Sequence, residues 1–359
     1  MELLNYMNSH YDWQKSLSAA PYNLKIGQDG DYYILSYNMF LSDMSLHICQ
    51  EARGAIFRRA NNNWICVCRA FDKFFNATEP YAATARMDWS TARVVEKIDG
   101  SLIKFFYDRG SWHVATNGTI DASKTTINDH SFMELIERAI DVKQLENRMD
   151  PMYTYMFELT SPYNKCVIQY DGYALWYLGR RSMINFKEDA APLSLCGARH
   201  PRLYDFHNLN DCVAAAEKMD ITQEGFVVVD QRFNRIKIKG DAYLAAHHLR
   251  GNNNFSTKRA IELWQNDSLD DFLAVCPEYY DDAKAIIDKI NARVTSMEHT
   301  FNVAMELETD KDIALSLADR PTYEKAYVFS RRKGRHENAI SFLKSMRAQN
   351  LADELSFDI

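Results

Sequence analysis

Alternating apolar and polar residues mark the first two thirds of the chain, whereas the last third repeats apolar residues at steps of three and four. The first pattern is typical of half-buried strands and the second of amphipathic helices. After a short helix and a loop in residues 1–30, helices are predicted over 131–148 and 208–219. Strands and hairpins are predicted over 32–37, 51–57, 64–71, 93–107, 111–116, 153–159, 165–180 and 224–239.

Two of the predicted hairpins turn at Asp-Gly pairs, which are Asp99-Gly100 and Asp171-Gly172. In the last hairpin, Lys237 and Lys239 are two residues apart and therefore point to the same face of their strand. Because two lysines side by side repel each other, an anion is expected between them.

The composition changes after Gly251. No further glycine occurs before Gly334, the strand pattern stops, and helices are predicted over 257–275, 286–305, 310–329 and 336–350. We therefore predict an α+β fold, with antiparallel sheets and flanking helices in a domain over residues 1–245. An all-α domain is predicted over residues 246–359.

The bulk composition is that of a globular protein with about two domains in 359 residues. No apolar run reaches the ~18 residues that a membrane span needs, and the N-terminus lacks a secretory signal. The seven cysteines are scattered and form no Cys-x-x-Cys pair. We expect reduced thiols and a cytoplasmic location, in the host cell if the protein is viral.

The net charge of −7 argues against indiscriminate binding to nucleic acid. A local basic groove remains compatible with it, because lysines and arginines cluster along the chain. Each cluster is either a solvated face or an anion site. The clusters are Arg53, Arg58, Arg59, Arg69 and Lys73; Lys97 and Lys104; Lys237 and Lys239; and Arg331, Arg332, Lys333 and Arg335.

The motif Lys97-x-Asp99-Gly100 lies at a predicted strand end, where a lysine is costly unless it is paired or used. Lys-x-Asp-Gly is the local pattern of a lysine nucleophile that takes up a nucleotide. The amine attacks a phosphate, the Gly100 turn brings backbone close to it, and Asp99 lies near any metal. Asp-Gly is also a common hairpin turn, so the motif alone leaves both interpretations open.

Together with Lys97, other charged residues stand at predicted strand ends. Along the chain, the whole group has the order basic, nucleophile, acidic, acidic, basic. With them, the chain resembles the covalent nucleotidyltransferase superfamily of ATP-dependent ligases and capping enzymes, and within it the phage RNA ligase 1 family. The similarity covers roughly residues 30–245. It is carried by Ser36-Tyr37-Asn38, Glu51-x-Arg53-Gly54, Lys73-Phe74-Phe75-Asn76, Lys97-x-Asp99-Gly100-Ser101-Leu102, Phe157-Glu158, Glu224-Gly225 and Lys237-Ile238-Lys239-x-Asp241-x-Tyr243.

The resemblance implies a role for each matching residue. Lys97 would become adenylylated, and the other catalytic residues would be Glu158, Glu224, Lys237 and Lys239. The same five residues would contact ATP, together with Tyr37, Arg53, Lys73, Phe75, Gly100, Asn117 and Tyr243. A hydrated Mg²⁺ would lie near Asp99, Glu158, Glu224 and Asp270. Asn117 stands where the family is usually basic, so its amide is expected to contact the ribose or a phosphate.

The implied activity is an RNA ligase that uses ATP. AMP would pass from Lys97 to the 5′-phosphate of an RNA strand, and a 3′-hydroxyl would then displace it. The resemblance also implies repair of single-stranded or nicked-loop RNA such as cleaved tRNA, by a monomer that follows a polynucleotide kinase-phosphatase. We further predict that residues 331–335 contact the RNA backbone.

Three other interpretations compete with this one. A DNA ligase or a capping enzyme should carry a basic, glycine-rich OB-fold after Lys239, where this chain is predicted to be helical and has no glycine between Gly251 and Gly334. An RNA-binding protein with an inactive nucleotidyltransferase core would not need to keep every charged residue of these motifs. A structural α+β protein would have to match the motifs by chance.

Overall fold

Strands dominate the first 240 residues, and helices make up the rest of the described chain. The computed structural model describes residues 1–164, 168–189, 195, 197–240, 255–273 and 276–356. The strands are β1 (Lys25–Asp29), β2 (Tyr32–Ser36), β3 (Arg53–Ala60), β4 (Asn63–Cys68), β5 (Phe75–Asn76), β6 (Arg93–Glu96), β7 (Ser101–Asp108), β8 (Ser111–Thr116), β9 (Thr126–Ile127), β10 (His130–Ser131), β11 (Tyr153–Thr160), β12 (Ala174–Ser182), β13 (Glu188–Asp189), β14 (Leu203–Tyr204), β15 (Gly225–Val229) and β16 (Arg235–Lys239).

The helices fall into two groups, with six short ones among the strands and seven after residue 255 in the described chain. They are α1 (Glu2–Ser9), α2 (Trp13–Ser18), α3 (His47–Glu51), α4 (Phe132–Ala139), α5 (Val142–Glu146), α6 (Leu209–Ala216), α7 (Thr257–Gln265), α8 (Leu269–Leu273), α9 (Tyr280–Ala304), α10 (Asp310–Ser316), α11 (Thr322–Arg332), α12 (Ala339–Ser345) and α13 (Ala348–Ser356).

Three large sheets and a two-stranded antiparallel sheet of β9 and β10 form the strand-rich part of the described chain. Sheet A has the order β1-β2-β3-β4, sheet B has the order β14-β6-β15-β16-β5, and sheet C has the order β13-β12-β11-β7-β8. The paired strands are antiparallel throughout, except that β5 runs parallel to β16. This architecture confirms the predicted α+β fold class.

Sheet C is buried on both faces. Phe105 and Phe157 pack on one face with Leu135 of α4, while Phe106 on the other face packs with Ile56 of sheet A. The strand alternation therefore separates two apolar layers here, and both faces of β7 lie in the core.

The hairpin predicted over residues 93–107 is wrong. β6 pairs with β14 and β15 of sheet B, whereas β7 pairs with β8 and β11 of sheet C. Residues 97–100 therefore carry the chain from one sheet to the other. The Asp99-Gly100 turn occurs in this crossover.

The hairpin predicted over residues 165–180 is also wrong. β12 pairs with β11, and the register places Ala174 opposite Thr160. Residues 168–173 form no strand, and residues 165–167 lie outside the described part of the chain. The last predicted hairpin is confirmed, since β15 and β16 pair with Gly225 opposite Lys239 and Val227 opposite Lys237.

Several predicted helices are divided in two by residues that break the helical backbone. Asp141 accepts a hydrogen bond from the Gln144 N–H and starts α5, so the helix predicted over 131–148 has a break. Asp267 has a φ of +53° between α7 and α8, and Pro321 stands immediately before α11. The predicted long helix is confirmed as α9.

Two carboxylates of the helical part hold segments of the strand-rich part. Asp270 of α8 forms an ion pair with Lys73 and accepts a 3.0 Å hydrogen bond from the Tyr37 hydroxyl. Buried Glu337 accepts hydrogen bonds from the N–H groups of Ile120 and Asp121, at 3.2 and 2.6 Å. The predicted domain boundary near residue 245 lies outside the described residues.

The five described cysteines are all free and buried. Within the described residues, the helices include none that is both long enough and apolar enough to cross a membrane.

Candidate active site

A single large cavity collects almost all of the site residues that the sequence predicts. Its volume is about 1320 Å³, and its walls come from sheets A, B and C and from the helical part. The predicted residues on its wall are Tyr37, Arg53, Lys73, Lys97, Asp99, Gly100, Asn117, Glu158, Glu224, Lys237, Lys239 and Asp270.

The crossover that carries Lys97 is fixed at both ends. The Lys97 N–H donates a 2.9 Å hydrogen bond to the Gly225 carbonyl, and a buried Asp99 carboxylate accepts a 2.7 Å bond from the Ile168 N–H. Ile98 is buried between them. Backbone pairing and side-chain burial therefore hold the lysine against the cavity.

Lys97, Glu224 and Lys239 form a compact charged group. Lys97 Nζ lies 2.6 Å from Glu224 Oε2, and Lys239 Nζ lies 3.1 Å from Glu224 Oε1. The Glu224 side chain is 3% exposed and that of Lys97 is 19% exposed. Glu224 thus pairs with Lys239 of β16 and orients the amine of Lys97 in a nearly dry environment.

Glu158 faces the same cavity from β11. Burial raises its pKa from the usual 4.5 to about 8, although the nearby Lys97 opposes the shift and Glu224 adds to it. The carboxyl group therefore keeps its proton at neutral pH and can donate a hydrogen bond.

Replacing Glu158 with glutamine should remove a pH dependence of stability. A raised folded-state pKa means that the folded protein binds the proton more tightly, so this contribution to stability is full below the unfolded value. It is lost as the pH rises towards about 8. We expect the stability of Glu158→Gln, relative to wild type, to rise between pH 5 and 8.5 in urea denaturation. The exposed residue Glu217, changed to glutamine, is the control, and a constant difference for Glu158→Gln would contradict the assignment.

Arg53 and Asn117 bring unpaired polar atoms to the cavity. Arg53 Nη1 and Asn117 Oδ1 are buried, and neither has a hydrogen-bond partner among the described residues. Gly54 has a φ of +71° and touches the Asn117 backbone so closely that a Cβ would overlap it. The fully buried Lys104 donates a hydrogen bond to the Gly54 carbonyl, and burial lowers its pKa. Lys104 therefore has a positioning role and is no solvated cation.

The phosphate contacts predicted from the sequence lie around Phe74. The Arg53 guanidinium is 5.3 Å from the centre of this ring, and Lys237 Nζ is 5.8 Å away. Lys73 lies in the adjacent wall, where its amine contacts the rings of Tyr37 and Phe75 at 5.1 and 5.6 Å. Several cations thus line the same cavity as Lys97.

The comparison with known families agrees with this geometry. A family model described as RNA ligase matches residues 51–243, which is more than half of the chain. The chain belongs to the phage RNA ligase 1 family.

Two relatives define its place in this RNA ligase family. A protein of Autographa californica nuclear polyhedrosis virus, named as a bifunctional polynucleotide kinase/RNA ligase, is 32% identical over 294 residues. The alignment covers 76% of this chain and 41% of that protein, so the chain spans less than half the length of this relative. The RNA ligase of Rhodothermus phage RM378 is 24% identical, over 90% of both chains.

Among solved structures, an archaeal ATP-dependent RNA ligase is similar at a TM-score of 0.46. The sequences are 14% identical, and the match covers 78% of each chain. The family assignment rests on the sequence matches.

The residues present fit a nucleotide better than a metal held by protein alone. Arg53 Nη1 is a buried donor that a phosphate oxygen would satisfy. Within the described chain, no three acidic, histidine or cysteine side chains gather into a metal site. Glu224 and Asp270 each hold lysines. Mg²⁺ would therefore have to be held largely by phosphate oxygens and water, with these carboxylates near it.

Two predicted ligase residues are not placed in the cavity. Phe75 is buried beside Tyr81 and does not line the wall, whereas its neighbour Phe74 does. Tyr243 lies outside the described residues. Phe74 and Phe75 both follow Lys73, but Phe75 belongs to β5 and pairs with Ile236 of β16, whereas Phe74 precedes the strand.

The RNA contact predicted over residues 331–335 is not favoured at Arg331. Its guanidinium bonds to Glu298 at 2.5 Å and stacks 4.1 Å from the centre of the Phe301 ring. Arg331 thus stabilises the helical core. Residues 332–335 are exposed, and there the contact remains a prediction.

Sequence reasoning missed Arg235, Lys25 and Lys344, which also line the cavity. Arg235 could have been found, because it lies two residues before Lys237 and shares its strand face. Its guanidinium bonds to Glu188 at 2.7 Å and lies 4.1 Å from the Phe71 ring.

Proposed function

We propose that this chain joins 5′-phosphate and 3′-hydroxyl ends of RNA with ATP, through AMP carried on Lys97. The observation that carries the proposal is the Lys97 amine, held 2.6 Å from Glu224 in a cavity lined by further cations. Membership of the RNA ligase family supports the same chemistry.

In the first step, the neutral Lys97 amine attacks the α-phosphorus of ATP. A nitrogen–phosphorus bond forms, the bond to pyrophosphate breaks, and the amine loses a proton. Glu224 Oε2 is the acceptor in contact with that amine. Arg53, Lys73 and Lys237 are positioned to stabilise the charge that develops on the leaving pyrophosphate.

In the second step, an RNA 5′-phosphate oxygen attacks the same phosphorus. The nitrogen–phosphorus bond breaks, a pyrophosphate linkage forms, and Lys97 regains a proton. In the third step, a 3′-hydroxyl attacks the RNA phosphorus, loses its proton and expels AMP. Lys239 and Lys237 offer positive charge to the phosphates in both steps. A bound Mg²⁺ would add Lewis-acid polarisation of the phosphates.

The proposed role is the repair of cleaved RNA, with tRNA as one substrate. The reaction consumes a 5′-phosphate and a 3′-hydroxyl, so a polynucleotide kinase-phosphatase is the natural source of its substrate. The name of the baculovirus relative joins a kinase to a ligase in one protein, which supports this link. We further propose that the chain acts as a monomer in the cytoplasm, which is that of the host if the protein is viral.

The proposal is tested by the intact mass of the protein after incubation with ATP and Mg²⁺. The expected result is a gain of one AMP, which 5′-phosphorylated RNA removes and 5′-hydroxyl RNA leaves in place. Ligated RNA should appear together with the loss of the adduct.

Two results would redirect the assignment. If protein freed of bound AMP gains no mass from any nucleotide, an RNA-binding protein with an inactive core becomes the better interpretation. An adduct formed from GTP but not from ATP would favour capping chemistry.

A further inference from the structure

The cavity is larger than ATP needs. Its volume of about 1320 Å³ exceeds the roughly 300–1,000 Å³ of most small-ligand pockets. Away from Lys97 it continues between strand β1 and helices α7 and α12. Lys25 lies on the strand side of this extension, and Trp264 and Lys344 lie on the helix side.

One partly exposed carboxylate, Asp267, lies near two lysines in this extension and pairs with one of them. Lys344 Nζ lies 2.6 Å from Asp267 and 5.6 Å from the centre of the Trp264 ring, and its side chain is 11% exposed. Lys25 is half-buried and makes no side-chain hydrogen bond or ion pair with any described residue. Burial, followed by the charge of Lys344, lowers the pKa of Lys25 to about 8. Because two amines lie near a single carboxylate, the pair carries positive charge that the described protein does not neutralise.

The lysine pair adjoins the catalytic group through a short stretch of wall. Lys344 Nζ lies 3.5 Å from the position that a Cβ of Gly118 would take. The neighbouring Asn117 carbonyl touches Gly54, which follows Arg53. Arg53 Nη1 and Asn117 Oδ1 are buried there without partners among the described residues. Polar groups that lack partners thus line the way from the ATP contacts to the lysine pair.

We propose that Lys25 and Lys344 form a second phosphate site, which binds a backbone phosphate of the RNA strand beside the adenylylation centre. The proposal rests on the proposed function, since RNA is the substrate it implies. In the proposed function, Arg53, Lys73 and Lys237 stabilise the leaving pyrophosphate, so the lysine pair is left for a different phosphate.

The test compares wild type with the double variant Lys25→Met/Lys344→Met, which keeps side-chain length and removes both charges. Equilibrium binding of a 5′-phosphorylated single-stranded RNA is measured by fluorescence anisotropy over a series of salt concentrations. We expect the Kd to rise about tenfold and the slope of log Kd against log salt to fall by about 0.7 for one lost phosphate contact. The exposed Lys218, changed to methionine, controls for the loss of charge alone.

A second arm measures the apparent KM for ATP in AMP uptake, which should change less than twofold. An equal rise in the KM for ATP would assign the site to the triphosphate and overturn the proposal. An unchanged Kd and salt slope, in a variant whose melting temperature matches wild type, would overturn it as well. RNA binding can be measured without AMP transfer. The RNA-binding result therefore tests the second phosphate site even if the wild-type protein takes up no AMP.

Discussion

Replacing Lys97 with arginine should abolish uptake of AMP from ATP, with a loss of roughly a thousandfold or more, as expected when a covalent nucleophile is removed. Arginine keeps the positive charge beside Glu224, so the buried carboxylate remains paired. Its guanidinium stays protonated, however, and cannot attack phosphorus. Intact mass after incubation with ATP and Mg²⁺ measures the effect directly.

The arginine variant removes the nucleophilic amine and keeps the positive charge, whereas an alanine variant would remove both. Lys218→Arg is the matched control, because this exposed lysine lies away from the cavity. Binding of RNA by Lys97→Arg should stay within about twofold of wild type, since its charge is kept. An AMP adduct on Lys97→Arg would show that another residue carries the nucleotide, and peptide mapping would then locate it.

Replacing Gly225 with alanine should destabilise the fold by roughly 2–4 kcal/mol and weaken AMP uptake in the protein that remains folded. Gly225 has a φ of +140°, and a Cβ there would overlap the Ile238 carbonyl and lie 2.8 Å from the Lys239 Cα. The overlap would push β15 away from β16. Such a shift would separate Glu224 from Lys239, which are paired at 3.1 Å.

Urea denaturation and AMP uptake of the same samples would measure both effects of Gly225→Ala. Gly172→Ala provides the control, because nothing lies within 4 Å of its Cβ position and its backbone is not left-handed. It should match wild type in both assays. If Gly225→Ala were as stable as wild type, β15 and β16 could separate with no loss of unfolding free energy, and the prediction would be wrong.

The residues of the last hairpin could be predicted because local periodicity decides their placement. The two-residue spacing of Lys237 and Lys239 puts both on one strand face, and the structure places both on the cavity wall. Glu224, immediately before β15, pairs with Lys239, whereas an anion between Lys237 and Lys239 stays a prediction. The ion-pair partner of Lys239 is therefore close to it in sequence, because both residues belong to the region of one hairpin.

The crossover at Lys97 could not be predicted from local pattern. An Asp-Gly pair favours a tight turn, but the partners of the flanking strands decide whether that turn closes a hairpin. Those partners lie far along the chain, in β15 for β6 and in β11 for β7. The burial of Lys104 and the approach of Lys344 to Gly118 likewise depend on contacts between distant segments.

The carboxylates of Asp270 and Glu337 limit how the two parts of this chain could be exchanged between relatives. A chimera that combined these strands with foreign helices would need an acid at each place. Without them, Lys73 and Tyr37 would lose an acceptor, and so would the N–H groups of Ile120 and Asp121. Asp270, Lys73 and Tyr37 line the cavity, so a change in either part of the chain alters a wall that both parts build.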